Sequence, residues 1–233
     1  MMVRIIILLF LSFFGCTLYA QDAIRLSADF SIKQKDQTGK GQLVTGTLYF
    51  DKKIQKICYK VDYPEPAFWL VKDSMFYEFN ADTQFVKLST APYSPAFSIY
   101  QTILTDNFDD LGLKTMGFKI GSVEKIDTMV VTEWLPNNNL KKHLGKVLLS
   151  HSNRKINAAV FFDAQGSIVS KEQYKKIQLI QDQWIPTEVV SISYKKEQVE
   201  TIKITSLRNI QFNETSNNNF YDFAVPLQDA LPK

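Results

Sequence analysis

Cysteine and histidine are nearly absent from this chain of 233 residues: it holds Cys16 and Cys58, His143 and His151. Once the leading segment is removed, Cys58 stands alone and no internal disulfide can form. Cys58 sits in the apolar stretch Ile57-Cys58-Tyr59 with no His or Arg beside it to activate a thiolate, so it reads as a small buried hydrophobe. The histidines fall on an expected strand, with no cysteine or carboxylate at metal-ligand spacing, and read as surface side chains. A nucleophile elbow and a phosphate-binding glycine loop are also missing, and Gly39-Lys40-Gly41 is a hairpin turn. These gaps argue against an enzyme and against a bound cofactor or metal. Twenty-seven basic against 24 acidic residues leave a formal charge of +3, which gives nucleic-acid binding no electrostatic support. After Ala20 no apolar run is long enough to hold the chain in a bilayer.

The first twenty residues are different. MMVRIIILLFLSFFGCTLYA places Arg4 before an apolar run from Ile5 to Phe14 and closes on the small residue Ala20. That is the layout of a secretory signal, too short for a spanning helix. Residues 1–20 are therefore expected to be a signal peptide, and 21–233 one exported domain. Phe13-Phe14-Gly15-Cys16 offers a competing outcome, lipidation at Cys16, although Phe13 stands where leucine is usual.

Aromatic residues are abundant: 17 Phe, 10 Tyr and 3 Trp. They fall in segments that alternate apolar and polar, the period of half-buried strands. Leu26, Ala28, Phe30 and Ile32 are spaced by two; Asp36 to Gly41 turns the chain into Leu43 to Phe50. Asp51-Lys52-Lys53 turns it again into Ile57, Tyr59, Val61 and Tyr63, and Pro64-Glu65-Pro66 breaks that ladder. Phe68 to Val71 and Met75 to Phe79 flank Lys72-Asp73-Ser74 as a hairpin, and Phe85 to Leu88 follows.

Helical spacing then appears. Ser94-Pro95 suits a helix start, Phe97, Tyr100, Ile103 and Leu104 share one face, and Phe108 to Leu113 suggests a second short helix. Strands resume near Phe118. Thr128 to Leu135, Leu144 to Ser150, Ile156 to Phe162, Ile168 to Ile180, Trp184 to Tyr194 and Val199 to Phe212 are the candidates. Pro136 to Asn139 and Asp163 to Gly166 are turns, and Asn217 to Asn219 a loop. Asp106, Asp109 and Asp110 cluster as helix caps; Lys141-Lys142, Lys175-Lys176 and Lys195-Lys196 suggest solvated turns or strand edges. Asn213-Glu214-Thr215 is a glycosylation sequon in form. No composition break marks a domain boundary. The expectation is one large, mainly β, antiparallel sheet with a helical insertion, curved so that it partly wraps its own apolar face.

Several stretches resemble a known family. Gly46-Thr47-Leu48-Tyr49-Phe50, Tyr59 to Pro64 and Leu70 to Tyr77 are similar to the opening strands of the LolA-like periplasmic carriers of outer-membrane lipoproteins. Trp184 to Val189, Leu207 to Asn213 and Phe220 to Pro226 resemble the distal part of related lipoprotein-sorting proteins. The resemblance implies a curved, unclosed antiparallel β-barrel (mainly β, α+β) with a short helical lid. It implies a monomer that carries lipoprotein acyl chains or another lipid in the periplasm, with inner-membrane release machinery and an outer-membrane acceptor as partners. A membrane-anchored or scaffold-type module that does not shuttle is the alternative, favoured if Cys16 is lipidated. Two features depart from the family. Asp51-Lys52-Lys53 stands where an Arg-Pro pair ties the lid, and too little chain precedes Phe30 for the usual first helix.

On this reading Phe30, Ile32, Leu48, Phe50, Tyr59, Val61 and Phe76 line the acyl-chain cavity, with Phe97, Tyr100 and Leu104 facing it from the lid. Alternation predicts that such residues are buried; it does not distinguish a lined hollow from a solid core.

Overall fold

The computed structural model describes residues 25–72, 75–80, 85–90, 109–180, 183–196, 198–213, 216 and 218–223. Thirteen strands fill most of them. The first six are β1 (Arg25–Asp36), β2 (Gly41–Asp51), β3 (Lys56–Tyr63), β4 (Ala67–Lys72), β5 (Met75–Asn80) and β6 (Phe85–Thr90). The other seven are β7 (Lys119–Ile126), β8 (Met129–Leu135), β9 (Val147–Ser152), β10 (Lys155–Phe162), β11 (Ile168–Ile180), β12 (Gln183–Lys195) and β13 (Gln198–Phe212). All belong to one sheet in the order β6-β5-β4-β3-β2-β1-β13-β12-β11-β10-β9-β8-β7. The chain meanders from β1 out to β6, resumes at the opposite edge with β7, and meanders back until β13 pairs antiparallel with β1. Among the described strands β6 and β7 are the edges, so the sheet is curved but unclosed.

Strand register places the alternating apolar residues on one face. Leu26, Ala28 and Phe30 of β1 stand opposite Phe50, Leu48 and Gly46 of β2, and Leu48 stands opposite Tyr59 of β3. The intervening Asp29 and Lys33 are exposed. Gly46 has a specific reason to lack a side chain. A Cβ there would fall on the Lys60 carbonyl and press on the Phe30 ring, so the ladder shift beside it lets two backbones approach closely. This inner face joins Trp134, Leu149 and Ile156 from the far half of the sheet in one continuous core, as a curved sheet that wraps its own face requires.

Strands β2 to β5 are buried on their outer face as well. Tyr49, Cys58, Phe68, Leu70 and Phe79 are out of phase with Leu48 and Tyr59 and form a second apolar cluster. Residues 218–223 cover it. A single helical turn, Asn218–Tyr221, lays Phe220 flat on Tyr49 at 4.5 Å, and Phe223 packs on Phe68 at 4.6 Å. Arg25 holds the turn down: its Nε donates to Asp51 at 3.0 Å, Nη1 to Asn218 at 2.6 Å and Nη2 to Asp222 at 2.7 Å. Lys56 Nζ donates to the carbonyls of Tyr221 and Phe223.

Three local expectations change. Residues 109–117 form consecutive turns where Phe108 to Leu113 suggested a helix. Asp110 accepts the Gly112 N–H at 2.8 Å in an Asx turn, and Leu111 and Gly112 take positive φ of 53° and 73°, which no right-handed helix accommodates. Asn218 and Asn219 begin the helical turn where a loop was expected. Lys175-Lys176 lies within β11, a central strand, where Lys176 has a φ of 52° and its ammonium meets Glu188 at 2.6 Å. The lid residues Phe97, Tyr100 and Leu104 lie outside the described residues.

Candidate functional site

A cavity of about 490 Å³ opens on the inner face of the sheet. Its roof is the turn segment 109–117, which contributes Leu111, Leu113 and Met116, followed by Phe118. Four main-chain hydrogen bonds and one side-chain contact fix that segment. Leu113 N–H reaches Asp110 O, Met116 N–H reaches Gly112 O, Gly117 N–H reaches Lys114 O, and Phe118 N–H reaches Leu113 O at 2.9 Å. His151 Nε2 on β9 lies 2.8 Å from the Asp109 carbonyl oxygen. The floor is Leu144, Gly145, Val147, Phe161, Phe162 and Val169. The ladder shifts between Phe161 and Phe162, so consecutive residues reach the same space, Phe161 with Phe162 and Val169 with Ser170. Gly145 admits no side chain, because a Cβ would fall on the Asp163 carbonyl that closes the neighbouring hairpin.

The remaining wall is polar. Gln34, Ser170, Glu172, Ser191, Ser193, Thr201 and Lys203 come from four adjacent strands, β1 and β11 to β13. Glu172 is 4% exposed. Its Oε2 accepts the Tyr174 hydroxyl at 2.7 Å, and Ser191 Oγ lies 3.5 Å from Oε1, the outer limit of a hydrogen bond. Burial pushes the Glu172 carboxyl above its ordinary value, while the Tyr174 hydroxyl, the Lys203 charge and Ser191 pull it back. Burial likewise lowers the Lys203 ammonium, and the Glu172 charge opposes that shift. Tyr174, wholly buried against Glu172, keeps its proton far into the alkaline range, chiefly through burial. Ser193 and Thr201 share a hydrogen bond of 2.6 Å.

The residues nominated from the sequence come together elsewhere. Phe30, Ile32, Leu48, Phe50, Tyr59 and Val61 are buried side by side in the inner core, and Phe76 packs against it half-buried. Phe30 meets Tyr59 edge-on at 5.2 Å. None of the seven lines the cavity, which lies further along the sheet toward β9 to β13. Alternation marked Val147, Phe161 and Val169 as strand residues without marking which end of the inner face stays hollow. The signal for the polar wall was present: Glu172 and Lys203 share the inward faces of their strands with Ser170, Tyr174, Thr201, Thr205 and Leu207, so polar residues recur there at strand spacing. Cys58 is fully buried, donates to the Phe220 carbonyl at 3.2 Å, and burial pushes its thiol up to about 12. Among the described residues no group of three or more His, Cys, Asp or Glu converges on a point.

No family model matches the sequence, and no curated protein matches it. Solved structures do. A LolA superfamily protein from Nitrosomonas europaea superposes with a TM-score of 0.60 at 13% identity, over 85% of this chain and 90% of that one. A DUF1329 family protein from Desulfovibrio piger gives 0.60 at 13%, over 87% and 91%. A domain assigned to outer membrane lipoprotein sorting from Vibrio parahaemolyticus gives 0.62 at 11%, over 86% and 90%. The curved, unclosed sheet described above is therefore the fold of these LolA superfamily and lipoprotein-sorting structures, as the sequence resemblance implied.

Proposed function

We propose that this chain is a non-enzymatic carrier of the bacterial envelope, which holds a hydrocarbon chain in its inner cavity and passes it towards the outer membrane. One observation carries the reading: a half-open hollow of about 490 Å³, floored and roofed by apolar side chains, on the inner face of a LolA-like sheet. That volume lies within the range of roughly 300–1,000 Å³ typical of small-molecule sites. Each methylene moved from water into it gains about 0.8 kcal/mol, so even a partly covered chain is retained, while incomplete cover leaves a route for release. The signal-like segment Met1 to Ala20 and the lipoprotein-sorting assignment of the similar Vibrio parahaemolyticus structure support a periplasmic location. Loading at an inner-membrane complex and delivery to an outer-membrane acceptor complete the reading, with the carrier acting as a monomer.

Native mass spectrometry of the exported protein tests it. The expected result is a population carrying extractable lipid, and uptake of a fluorescent fatty acid once that lipid is removed. A clean apo mass with no uptake would sink the proposal. Gly15-Cys16 keeps the anchored, non-shuttling module as a second reading. The mass of the mature N-terminus separates the two: Gln21 free or cyclised belongs to a soluble carrier, an acylated Cys16 to an anchored one.

A further inference from the structure

The polar wall of the cavity is ordered by strand register. Glu172 stands opposite Ser191 across β11 and β12, Ser191 opposite Lys203 across β12 and β13, and Lys203 opposite Gln34 across β13 and β1. One row of polar side chains thus crosses four adjacent strands. A second row, one inward step away, runs Ser170, Ser193, Thr201. Inward positions of a sheet are where apolar residues belong, and desolvating two charges and several hydroxyls there costs stability. Among the described residues the cavity lining contains one cation and one carboxyl, Lys203 and Glu172, and both sit on this wall.

Their hydrogen-bonding states differ. Glu172 accepts from Tyr174 at 2.7 Å and has Ser191 Oγ at 3.5 Å. Ser193 and Thr201 hold each other at 2.6 Å. Asp36, which stands opposite Thr201, accepts at Oδ1 from the N–H and hydroxyl of Thr38 and the N–H of Lys40 in its own hairpin turn. Lys203 alone on this wall has a charge and no hydrogen bond: among the described residues no acceptor reaches its ammonium, and Glu172 acts on it only through its field. A half-buried ammonium with three idle donors at the edge of an apolar hollow is a socket for an anion.

We propose that Lys203 anchors the anionic group, a carboxylate or a phosphate, of a free single-chain amphiphile whose hydrocarbon lies against Leu113, Met116, Phe118 and Phe161. Ser193, Thr201 and Gln34 stand beside that group as hydrogen-bonding neighbours. This assignment deepens the carrier reading and rests on it. It also narrows the cargo, because an acyl chain joined through an amide or an ester brings no anion to Lys203. An ammonium is a point charge without the planar fork of a guanidinium, so it accepts either anion. Burial favours the neutral form of Glu172, which weakens that carboxyl as a competitor for Lys203. The low dielectric of the hollow strengthens the pairing with an incoming anion.

Calorimetric titration of the delipidated full-length exported protein tests this with three probes of one chain length: laurate, monododecyl phosphate and dodecanol. The wild type is expected to bind laurate, the phosphate, or both, about ten-fold or more tightly than dodecanol, about 1.4 kcal/mol per decade. Preference for laurate alone identifies a fatty-acid carboxylate as the ligand group, and preference for the phosphate alone identifies the phosphate of a single-chain lipid. Lys203→Met should erase the preference while still taking up dodecanol, which also shows that the variant is folded; Lys203→Arg should keep the preference. Equal binding of all three probes by the wild type overturns the anion socket and leaves the carrier reading standing. Retention of the preference in Lys203→Met overturns it too. Absence of binding by all three overturns both readings.

Discussion

Glu172 couples the cavity to pH. Its folded-state value is raised chiefly by burial, so the stability that its protonated form contributes is complete below the ordinary value of 4.5. That contribution is lost as pH rises through the elevated value. Glutamine keeps the shape and cannot ionise. Glu172→Gln should therefore gain stability relative to the wild type as pH rises from about 4 to 7, read as the difference in thermal midpoints at each pH. Lys203 offsets part of the effect, because its charge favours the ionised carboxyl. In a Lys203→Met background the gain at neutral pH should be larger, with a coupling energy on the order of 1 kcal/mol in the double-mutant cycle. A midpoint difference that stays flat with pH would show that Glu172 does not change ionisation in this range. Gly46 is a second position where one residue decides. Gly46→Ala drives a methyl into the Lys60 carbonyl and the Phe30 ring, and should lower the denaturation midpoint by the equivalent of roughly 1–3 kcal/mol. The sequence placed Gly46 inside the strand Leu43 to Phe50. The reason for glycine was not legible there, because it lies in a neighbour fourteen residues away that only register brings close.

At the scale of elements, the closing turn Asn218–Tyr221 works as a strap over the outer face of β2 to β5. Without it Tyr49, Cys58, Phe68 and Leu70 would face water, and fully burying such side chains is worth roughly 1.5–3 kcal/mol each. Arg25 is the buckle, with three charge-assisted or amide hydrogen bonds and its guanidinium 4.8 Å from the Tyr221 ring centre. Arg25→Ala should destabilise the protein by about 2 kcal/mol. Cys58 supplies a local reporter. It lies beneath Phe220, and burial holds its thiol near 12, so a thiol reagent reacts slowly in the intact protein. The Arg25 variant should label faster under native conditions, and an unchanged rate would mean that the strap stays down without its buckle. The strands themselves were largely legible. Ile168 to Ile180, Trp184 to Tyr194 and Val199 to Phe212 match β11 to β13 to within a residue or two, because long glycine-free runs carrying β-branched and aromatic residues between polar turns leave little freedom. The strap was not legible. Asn218-Asn219 looks like a loop, and its order comes from Arg25 and Lys56, both over 160 residues away.

The whole molecule divides one curved apolar surface between two tasks. Toward β1 to β4 the rings interlock: Phe30, Leu48, Phe50 and Tyr59 are each 3% exposed or less. Toward β9 to β13 the same surface is lifted apart by the turn segment 109–117 and by the polar rows on β11 to β13, and a hollow remains. Sequence periodicity reported both halves identically, since it registers removal from water and not what a side chain meets once removed. The difference is testable by pairing substitutions. Phe30→Ala empties a packed site, so it should cost about 3–5 kcal/mol of stability while the folded fraction binds laurate with wild-type affinity. Phe161→Ala removes a wall of the hollow. It should weaken laurate binding about ten-fold, since chain and ring lose their mutual contact, and cost less stability because the ring is already part-exposed to the cavity. Chemical denaturation and calorimetry on the two variants read these separately. If Phe30→Ala loses affinity and Phe161→Ala does not, the chain lies among the residues that the sequence first nominated, and the hollow toward β9 to β13 is not where the cargo rests.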